Sequence, residues 1–291
     1  MKFRFIRQNA TVYPVEKMCE AFDVSRGGYY EWLHRKPGKR SEESDKILKL
    51  MKQSHTECQG MCGLDKMLGD IREEFPKCSR NRAYKLQKAH GLYSVRKRPF
   101  RVCLTDSNHD LPIAENLLNQ KFDISEPGKV WVTDITQLIT SEGTLYLATV
   151  KDICTKEIVG WSAAEHMRKE LCLDALDNAV KRHRPAPGLI HHSDRGSQYC
   201  SHKYQEALTG YKMICSMSRK GNCWDNACAE TFFSTIKSER LHHKTYKTLL
   251  EAHQDIFWYI ESFYNRRRRH QALGNITIPE FKHRMTMKLA A

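Results

Sequence analysis

An α/β fold is the class that this sequence predicts: a mixed five-stranded sheet with helices, preceded by small all-helical units. Two patterns predict it. Up to Leu92, apolar residues recur at helical spacing, as at Leu64, Leu68 and Ile71. From Val130 onward, short β-branched runs of strand length alternate with helical stretches. The chain has 291 residues, which is enough for two or three domains with substantial cores.

A helical unit is predicted over residues 1–38. Val15–Phe22 and Ser25–His34 have the pattern of two helices separated by a short turn, which is the spacing of a helix-turn-helix. Any short αα-hairpin shows the same spacing, so a purely structural helical pair is the alternative. Pro37 and Gly38 then interrupt the helical pattern and mark a linker.

A second helical unit is predicted over residues 41–104, ending in a basic extension. Its helices are Ser44–Gln53, Leu64–Phe75 and Ser79–His90. Ser79 is the expected N-cap of the last helix, and Gly91 is expected to end it. Residues 105–125 follow as a linker.

The remaining elements form the sheet and its helices. The predicted strands are Val130–Ile139, Thr144–Asp152, Glu157–Ala163, Gly188–Ser193 and Met213–Met217. The predicted helices between the later strands are Lys169–His183 and Tyr199–Leu208. Three strands in a meander followed by alternating helices and strands is the element order of the ribonuclease H-like fold. We therefore predict a core domain over residues 126–243 and a helical, basic extension over residues 244–291.

The charge of the chain favours a polyanionic partner. Lys and Arg number 48 against 34 Asp and Glu, which gives a formal net charge of +14. A basic chain binds nucleic acid favourably, because its Lys and Arg side chains neutralise phosphates and release their counterions. The alternative is a basic soluble protein that does not bind nucleic acid. No stretch reaches the ~20 apolar residues that span a bilayer, and the N-terminus lacks the apolar core of a signal peptide. With 11 cysteines expected as reduced thiols, we predict a cytoplasmic protein without a membrane partner.

Three carboxylates lie in segments where a structural acid is hard to explain. Asp134 interrupts the β-branched run of the first strand, and Asp194 follows the fourth. Glu230 lies in the helical stretch Asp225–Lys237. A buried acid is costly unless it is paired or binds a metal, and oxygen ligands favour Mg²⁺ or Mn²⁺. The sequence therefore predicts a metal-dependent enzyme, with ordinary caps or ion pairs as the alternative.

The spacing of these acids resembles the D,D-35-E triad of retroviral integrases and bacterial insertion-sequence transposases, because 35 residues separate Asp194 from Glu230. The surrounding motifs resemble the IS-three group of insertion sequences, and within it the second-frame (OrfB) product. These motifs are Trp131–Thr136, Asp152–Ser162, His191–Tyr199, Ser218–Ala227, Tyr264–Gly274 and Pro279–Phe281. The resemblance extends from about Val12 to Phe281.

The resemblance implies a DNA transposase, a metal-dependent polynucleotidyl transferase that cleaves the element ends and joins the 3′-hydroxyl to target DNA. It implies Mg²⁺, with Mn²⁺ as a substitute and two ions in an integrase-like catalytic core. Asp134 is assigned as the bridging ligand, with Asp194 and Glu230 each binding one ion. The implied partners are the terminal inverted repeats, target DNA, further copies of the chain and an upstream-frame (OrfA) product. The implied location is the nucleoid of the bacterial cytoplasm.

Two other functions are compatible with the residues. A ribonuclease H-like nuclease would cut DNA without strand transfer, and a non-catalytic regulator would bind DNA through the basic surface alone. The complete triad argues against the regulator. Formation of a joined product separates the transposase from the nuclease.

Further residues are predicted to bind DNA. Near the triad these are Lys237, Asn222 and Asn226, with a solvated lysine as the alternative for Lys237. Asp225 is a candidate cap of the helix that carries Glu230.

More distant from the triad, we predict DNA contacts in the helix-turn-helix and in a run of cationic residues near the C-terminus. These candidates are Arg26, Tyr29, Arg266, Arg267, Arg268, Arg269 and His270. The alternative for the cationic run is a solvated surface. Both helical units are predicted to bind DNA.

Overall fold

The computed structural model of the chain describes residues 1–34, 38–94, 111–219 and 223–290. The chain divides into two compact units, Met1–Leu50 and Met51–Ala291. Within the described ranges, no helix combines the length and apolar character needed to cross a membrane.

Short helices make up the N-terminal unit. They are α1 (Lys2–Asn9), α2 (Val15–Ala21), α3 (Arg26–His34) and the first part of α4 (Lys39–Glu57). Ser25 caps α3, because its Oγ accepts a hydrogen bond of 3.0 Å from the backbone N–H of Gly28. Both helices of the predicted helix-turn-helix are present, and α1 is a helix that the sequence pattern did not indicate.

Tyr29 lies inside this N-terminal unit. Its side chain is 2% exposed, and its ring lies 6.1 Å from that of Phe3 and 6.3 Å from that of Trp32. Ile6 and Met18 are buried in the same cluster. Tyr29 therefore stabilises the core and is not at the surface where the predicted DNA contact requires it.

Two helices follow at the start of the larger unit, α5 (Leu64–Glu74) and α6 (Arg80–His90). Ser79 caps α6 by accepting a hydrogen bond of 3.3 Å from the backbone N–H of Arg82. Gly91 ends the helix with a φ of 65°, a left-handed conformation that glycine adopts without steric cost. The predicted cap and stop are confirmed.

A five-stranded mixed sheet forms the centre of the larger unit. Its strands are β1 (Val130–Ile139), β2 (Thr144–Asp152), β3 (Ile158–Ala164), β4 (Ile190–Ser193) and β5 (Ile214–Met217). The spatial order is β3-β2-β1-β4-β5. The first three strands pair antiparallel, whereas β4 pairs parallel to both β1 and β5. This arrangement is the predicted ribonuclease H-like fold, and the predicted bounds of β1 and β2 are confirmed.

Helices cover the sheet and continue into the C-terminal region. They are α7 (Lys169–His183), α8 (Ser197–Cys200), α9 (His202–Gly210), α10 (Ala227–Glu239), α11 (Leu249–Phe257) and α12 (Ile278–Ala290). Helix α11 continues directly into a π-helical segment, Trp258–Tyr264. Two short helices, α8 and α9, replace the single helix predicted over Tyr199–Leu208.

The two faces of β1 pack against different helices. Trp131 belongs to the cluster that contains Leu171 of α7, whereas Val132 belongs to the cluster that contains Ala229 of α10. Because side chains alternate along a strand, Asp134 lies on the same face as Val132. The sheet therefore places Asp134 on the side of α10, the helix that carries Glu230.

Gly160 of β3 allows a close approach between the sheet and α7. A Cβ at this position would lie 2.4 Å from the carbonyl oxygen of Ala175 and 2.6 Å from the Cβ of Ala179. Gly160→Ala should therefore lower the free energy of unfolding by about 1–3 kcal/mol, because the added methyl must push β3 away from α7. Denaturant unfolding measures the change. Gly143→Ala is the matched control, since nothing lies within 4 Å of a Cβ there, and an equal loss in both variants would contradict the packing explanation.

Candidate active site

The parallel ladder between β1 and β4 brings two of the predicted carboxylates together. Its last pair is Val132 with His192. Asp134 and Asp194 each lie two residues beyond that pair, so equal steps along two neighbouring strands bring both to the same level of the sheet, midway along β1 and just past the end of β4. Carboxyl ends of parallel strands are the usual position of ligand sites in α/β sheets.

Asp134 is partly buried and lies within the negative field of both other acids. Burial raises the pKa of the Asp134 carboxyl well above its ordinary value, and the charges of Asp194 and Glu230 raise it further. The backbone N–H of Ile135, which donates to Asp134 Oδ1 at 2.8 Å, and the ammonium of Lys237 oppose this shift. The three predicted ligands and Lys237 thus share one electrostatic environment.

Asp194 is held by the turn that follows β4. Its Oδ1 accepts a hydrogen bond of 2.9 Å from the backbone N–H of Gly196. The next side chain, Arg195, donates from Nε to the carbonyl oxygen of Ser218 at 2.7 Å. This contact ties the turn to the segment that leaves β5.

Glu230 lies in the first turns of α10, where its side chain is exposed. Lys237 follows seven residues later, about two helical turns away, and is partly buried. Burial lowers the pKa of the Lys237 ammonium and the charge of Asp134 raises it. A helix face directed at Asp134 therefore carries both an acid and a cation.

Within the described residues, no three Asp, Glu, His or Cys side chains lie close enough together to form a ready-made metal site. The electrostatics of Asp134 give a physical reason, because the charges of Asp194 and Glu230 act unfavourably on its carboxylate. Carboxylates that repel one another converge when a cation lies between them. The triad is thus brought to one region without being assembled into a ligand cage.

The start of α10 is fixed by contacts that the sequence pattern did not indicate. Buried Lys151 of β2 donates from Nζ to the carbonyl oxygen of Cys228 at 2.8 Å. Asn226 is buried and donates from Nδ2 to the carbonyl oxygen of Thr133 at 3.3 Å, and its Oδ1 has no partner among the described residues. Asn226 therefore lies beside the strand position that precedes Asp134. Asn222 lies outside the described residues.

Asp225 does not cap α10. It is fully buried, and its carboxylate accepts hydrogen bonds from Arg219, from Asn116 at 2.9 Å and from Gln120 at 3.0 Å. These contacts hold the pKa of Asp225 below its ordinary value, chiefly through the Arg219 guanidinium. Asp225 instead closes the segment before α10 and fastens it to residues that lie in the predicted linker. A cap needs only a local backbone N–H, whereas these partners are as distant as 109 residues in sequence.

Two histidines, His191 and His192, lie in β4 before Asp194, and their ring nitrogens contact hydroxyl groups inside the core. His191 Nε2 lies 3.2 Å from the Tyr204 hydroxyl, and His192 Nδ1 lies 2.8 Å from Ser216 Oγ. Burial lowers the pKa of His191 to about 3 and that of His192 to about 4. Both rings are therefore neutral near pH 7 and stabilise the core beside β4.

The cationic run near the C-terminus is not a single surface. Arg266 and Arg267 are exposed, as a DNA contact requires. Arg268 pairs with Glu239 of α10, and Arg269 pairs with Asp70 of α5.

Arg269 and His270 are buried, at 8% and 4% exposure, and the Arg268 side chain is only 12% exposed. These three residues therefore do not form the predicted DNA-binding surface. Their acidic partners are remote in sequence, and no local pattern indicates them. In the N-terminal unit Arg26 is exposed and pairs with Glu16.

Comparisons with known proteins identify relatives of this chain. Two family models, both described as integrase core domain, match residues 124–223 and 211–277. The chain is 44% identical over 267 residues to an uncharacterised 31 kDa protein of insertion element IS600 from Shigella sonnei, covering 92% of this chain and 98% of that protein. It is 34% identical over 287 residues to the transposase InsF of insertion sequence IS3A from Escherichia coli (strain K12), covering 98% and 99%.

Among solved structures, the HTLV-2 integrase catalytic core domain in complex with magnesium (trimeric form) is similar to this chain. The TM-score is 0.42 and the sequence identity 17%, over 53% of this chain and 96% of that one. The two curated relatives are matched over almost their whole length. The chain therefore belongs to the IS3 family of insertion-sequence transposases, with an integrase core domain.

Proposed function

We propose that this transposase cleaves the ends of its insertion sequence and joins the 3′-hydroxyl to target DNA by phosphoryl transfer dependent on two divalent metal ions. The observation that carries the proposal is that Asp134 lies within the electrostatic field of both other acids: burial raises the pKa of its carboxyl, and the charges of Asp194 and Glu230 raise it further. The charges of neighbouring carboxylates disfavour one another's ionised form. A cation that all three bind would remove this cost, which explains why the acids lie in one region.

The donor set fits Mg²⁺, with Mn²⁺ as a substitute. Asp134, Asp194 and Glu230 offer only carboxylate oxygens, which hard divalent cations prefer. When bound, the ions would neutralise the site and stabilise the attacking and leaving oxygens of the phosphoryl transfer. We assign Asp134 as the bridging ligand, since it feels both other charges, and Asp194 and Glu230 as ligands of one ion each.

Lys237 is the residue that we propose binds the DNA end beside the triad. Lys237 is partly buried next to Asp134, so its ammonium would pair with a backbone phosphate in a site shielded from solvent. Asn226 is only 5% exposed and its Nδ2 donates to the carbonyl oxygen of Thr133, so we propose that it supports the strand position before Asp134 and does not make the predicted DNA contact. Asn222 is retained as a proposed contact from sequence alone.

We propose further DNA contacts on exposed cationic side chains. Arg266 and Arg267 are exposed near the start of the C-terminal extension, and Arg26 is exposed at the start of α3. Phosphate contacts of this kind fix orientation without reading sequence. The proposed organisation is a DNA-binding unit at 1–38, another at 41–104, a linker at 105–125, the core at 126–243 and the extension at 244–291.

Assembly on DNA is also proposed. One similar solved structure is named a trimeric form of an integrase core with magnesium. We propose that several copies of this chain act together on the element ends and target DNA, with the upstream-frame product as a partner or fusion, at the bacterial nucleoid.

A strand-transfer assay tests this function. A labelled, pre-cut element end with a free 3′-hydroxyl should be joined to a second duplex when Mg²⁺ or Mn²⁺ is present, without an energy source. In the joining step the 3′-hydroxyl attacks a phosphorus of the target and displaces another 3′-hydroxyl, so one phosphodiester forms as one breaks. Bond energy is nearly conserved, and the site contributes positioning and charge stabilisation. Asp194→Asn is the matched control and should give no joined product.

The assay also distinguishes a transposase from a nuclease. A nuclease would give nicks and no joined product, even with the upstream-frame protein added. Nicking without joining under that condition would contradict the proposal.

A further inference from the structure

Glu239 at the end of α10 is a buried acid with partners from three parts of the chain. It is 2% exposed. Its carboxylate accepts hydrogen bonds from Lys66 of α5 at 2.9 Å, from Tyr259 of the π-helical segment at 2.9 Å, and from two nitrogens of Arg268 at 2.9 and 2.8 Å. We call these four residues the Glu239 cluster.

The cluster is charged despite its burial. Burial alone would raise the pKa of Glu239, but Arg268 and Lys66 outweigh it and lower that pKa to about 2. Burial alone would lower the pKa of the Arg268 guanidinium, but the hydrogen bonds and charge of the Glu239 carboxylate outweigh burial and raise that pKa. Buried ion pairs are retained at a cost in desolvation, and removal of one partner leaves the other uncompensated. The four side chains therefore hold one arrangement.

A second set of ion pairs involves the residue after Arg268 and helix α5, the helix that also carries Lys66. Arg269 pairs with Asp70 at 2.7 Å and with Glu73, both on α5. Gly69 makes room for it, because a Cβ there would lie 2.8 Å from Arg269 Cδ. Lys66, Gly69, Asp70 and Glu73 have the spacing of one helical face. This face of α5 is therefore an intramolecular contact surface for the arginine run.

Helix α10 links these contacts to the active site. Glu239 follows Glu230 by nine residues, a distance of roughly 13 Å along a helix. The other end of α10 is fixed by Lys151, which donates to the carbonyl oxygen of Cys228 at 2.8 Å. A helix held at both ends transmits the position of one end to the other, since sharp kinks have causes such as Pro or Gly and α10 contains neither residue.

We propose that the Glu239 cluster positions α10 and thereby sets where Glu230 meets Asp134 and Asp194. Arg268 and Glu239 are then positioning residues that act through the helix, and Arg268 does not bind DNA. The inference rests on the proposed function, because it concerns how Glu230 reaches the metal ions.

The experiment compares the full-length Glu239→Gln and Arg268→Lys variants with Arg267→Ala, which changes the neighbouring exposed arginine. Four quantities are measured: Mn²⁺ binding by electron paramagnetic resonance, the Mg²⁺ concentration at half-maximal cleavage, the Kd for element-end DNA as a function of salt, and Tm. Glu239→Gln and Arg268→Lys should weaken Mn²⁺ binding about tenfold and shift the Mg²⁺ requirement equally. Saturating Mg²⁺ should restore most of the cleavage rate, with DNA affinity within about twofold of wild type.

Arg267→Ala should show the opposite pattern, with a weaker dependence of Kd on salt and unchanged Mn²⁺ binding. A lower Tm in Glu239→Gln with unchanged Mn²⁺ binding would overturn the proposal and leave the cluster a purely stabilising role. Weakened DNA binding in Arg268→Lys with an unchanged Mg²⁺ requirement would overturn it in favour of a DNA contact.

Tyr259→Phe removes a single hydrogen bond from the cluster and keeps the ring, so it tests the same idea if Glu239→Gln does not fold. It should weaken Mn²⁺ binding in the same direction and to a smaller extent, and unchanged Mn²⁺ binding would again overturn the proposal. Failure of the proposed function is distinguishable, because then wild-type protein itself would bind no Mn²⁺ through Asp134.

Discussion

Asp134→Asn should reduce both cleavage and joining by about a thousandfold or more while leaving affinity for the element ends within about twofold. The substitution keeps the shape of the side chain and removes the charge that binds the ions. Asp194→Asn and Glu230→Gln should give the same result. Cleavage of labelled element ends and a DNA-binding titration measure the two quantities, and near-normal Mg²⁺-dependent cleavage in any of the three variants would remove that residue from the site.

Asp134→Asn should also make the metal-free protein more stable toward unfolding. The pKa of Asp134 is raised in the fold, so its charged form is disfavoured relative to the unfolded chain. This cost is absent below the ordinary carboxyl pKa and grows as the pH rises toward the pKa in the fold. At higher pH, without metal, Asp134→Asn should therefore have a higher Tm than wild type.

Addition of Mg²⁺ should reverse the order, because the ion stabilises only a protein that binds it. Asp152→Asn is the matched control, another buried aspartate of the same sheet. Its carboxylate accepts hydrogen bonds from the backbone N–H groups of Gly128 and Thr155, at 2.7 and 2.8 Å. That variant should lose stability and keep the wild-type response to Mg²⁺. A metal-free Tm of Asp134→Asn below that of wild type would contradict this account.

Asp255→Ala should lower the free energy of unfolding by about 3–5 kcal/mol, the cost typical of a buried charge left without its partner. Asp255 of α11 accepts hydrogen bonds from Arg240 at 2.6 Å, from Lys244 at 2.8 Å and from the Tyr246 hydroxyl at 2.7 Å. Arg240 is itself 8% exposed and cannot turn to water. Denaturant unfolding near pH 7 measures the loss.

The effect of Asp255 should disappear in acid. Burial raises the pKa of Asp255, but the hydrogen bonds from Arg240, Lys244 and Tyr246 outweigh it and hold the pKa below its ordinary value. A depressed carboxyl pKa contributes stability above the ordinary pKa and loses it as the pH falls through the value in the fold. The gap between wild type and Asp255→Ala should therefore narrow below about pH 4.

Glu126→Ala is the control for Asp255→Ala, because Glu126 pairs with Lys129 in an ion pair in which both side chains are more than 60% exposed. It should change the free energy of unfolding by less than about 1 kcal/mol. An Asp255→Ala loss no larger than this would show that the Arg240 side chain finds other partners.

The strands were predictable because burial on the two faces of a sheet leaves a direct pattern in the chain. The bounds of β1 and β2 were predicted to the residue, since both are long runs closed by a short turn at Ser141–Gly143. The caps at Ser25 and Ser79 were predictable for a similar reason, because a cap depends on neighbours within one turn. Helix α1 was not, because its charged and apolar residues give only eight positions of pattern.

The three acids Asp134, Asp194 and Glu230 could be singled out because their charge conflicts with their apolar neighbours, and their role as metal ligands stays a prediction. The roles of Asp225, Arg268 and Arg269 were not predictable, because each depends on a partner far along the chain. Arg269 and Asp70 are 199 residues apart, and a single sequence gives no sign that they meet. A run of arginines has the same local pattern whether it faces solvent or buried acids, so the fold alone decides its role.

The proximity of Asp134 and Asp194 is determined by the hydrogen-bond register between β1 and β4, and not by the number of residues that separate them in the sequence. Between Asp134 and Asp194 lie 59 residues, and the parallel pairing of β1 with β4, which ends at Val132 and His192, brings the two aspartates together. Insertions in the loops between β1 and β4 would leave this pairing intact and so should be tolerated during divergence. A single deletion inside β4 would turn Asp194 to the opposite face of the sheet. The loops of this interval should therefore tolerate changes in length, whereas a change in the number of residues in β4 should separate Asp194 from Asp134.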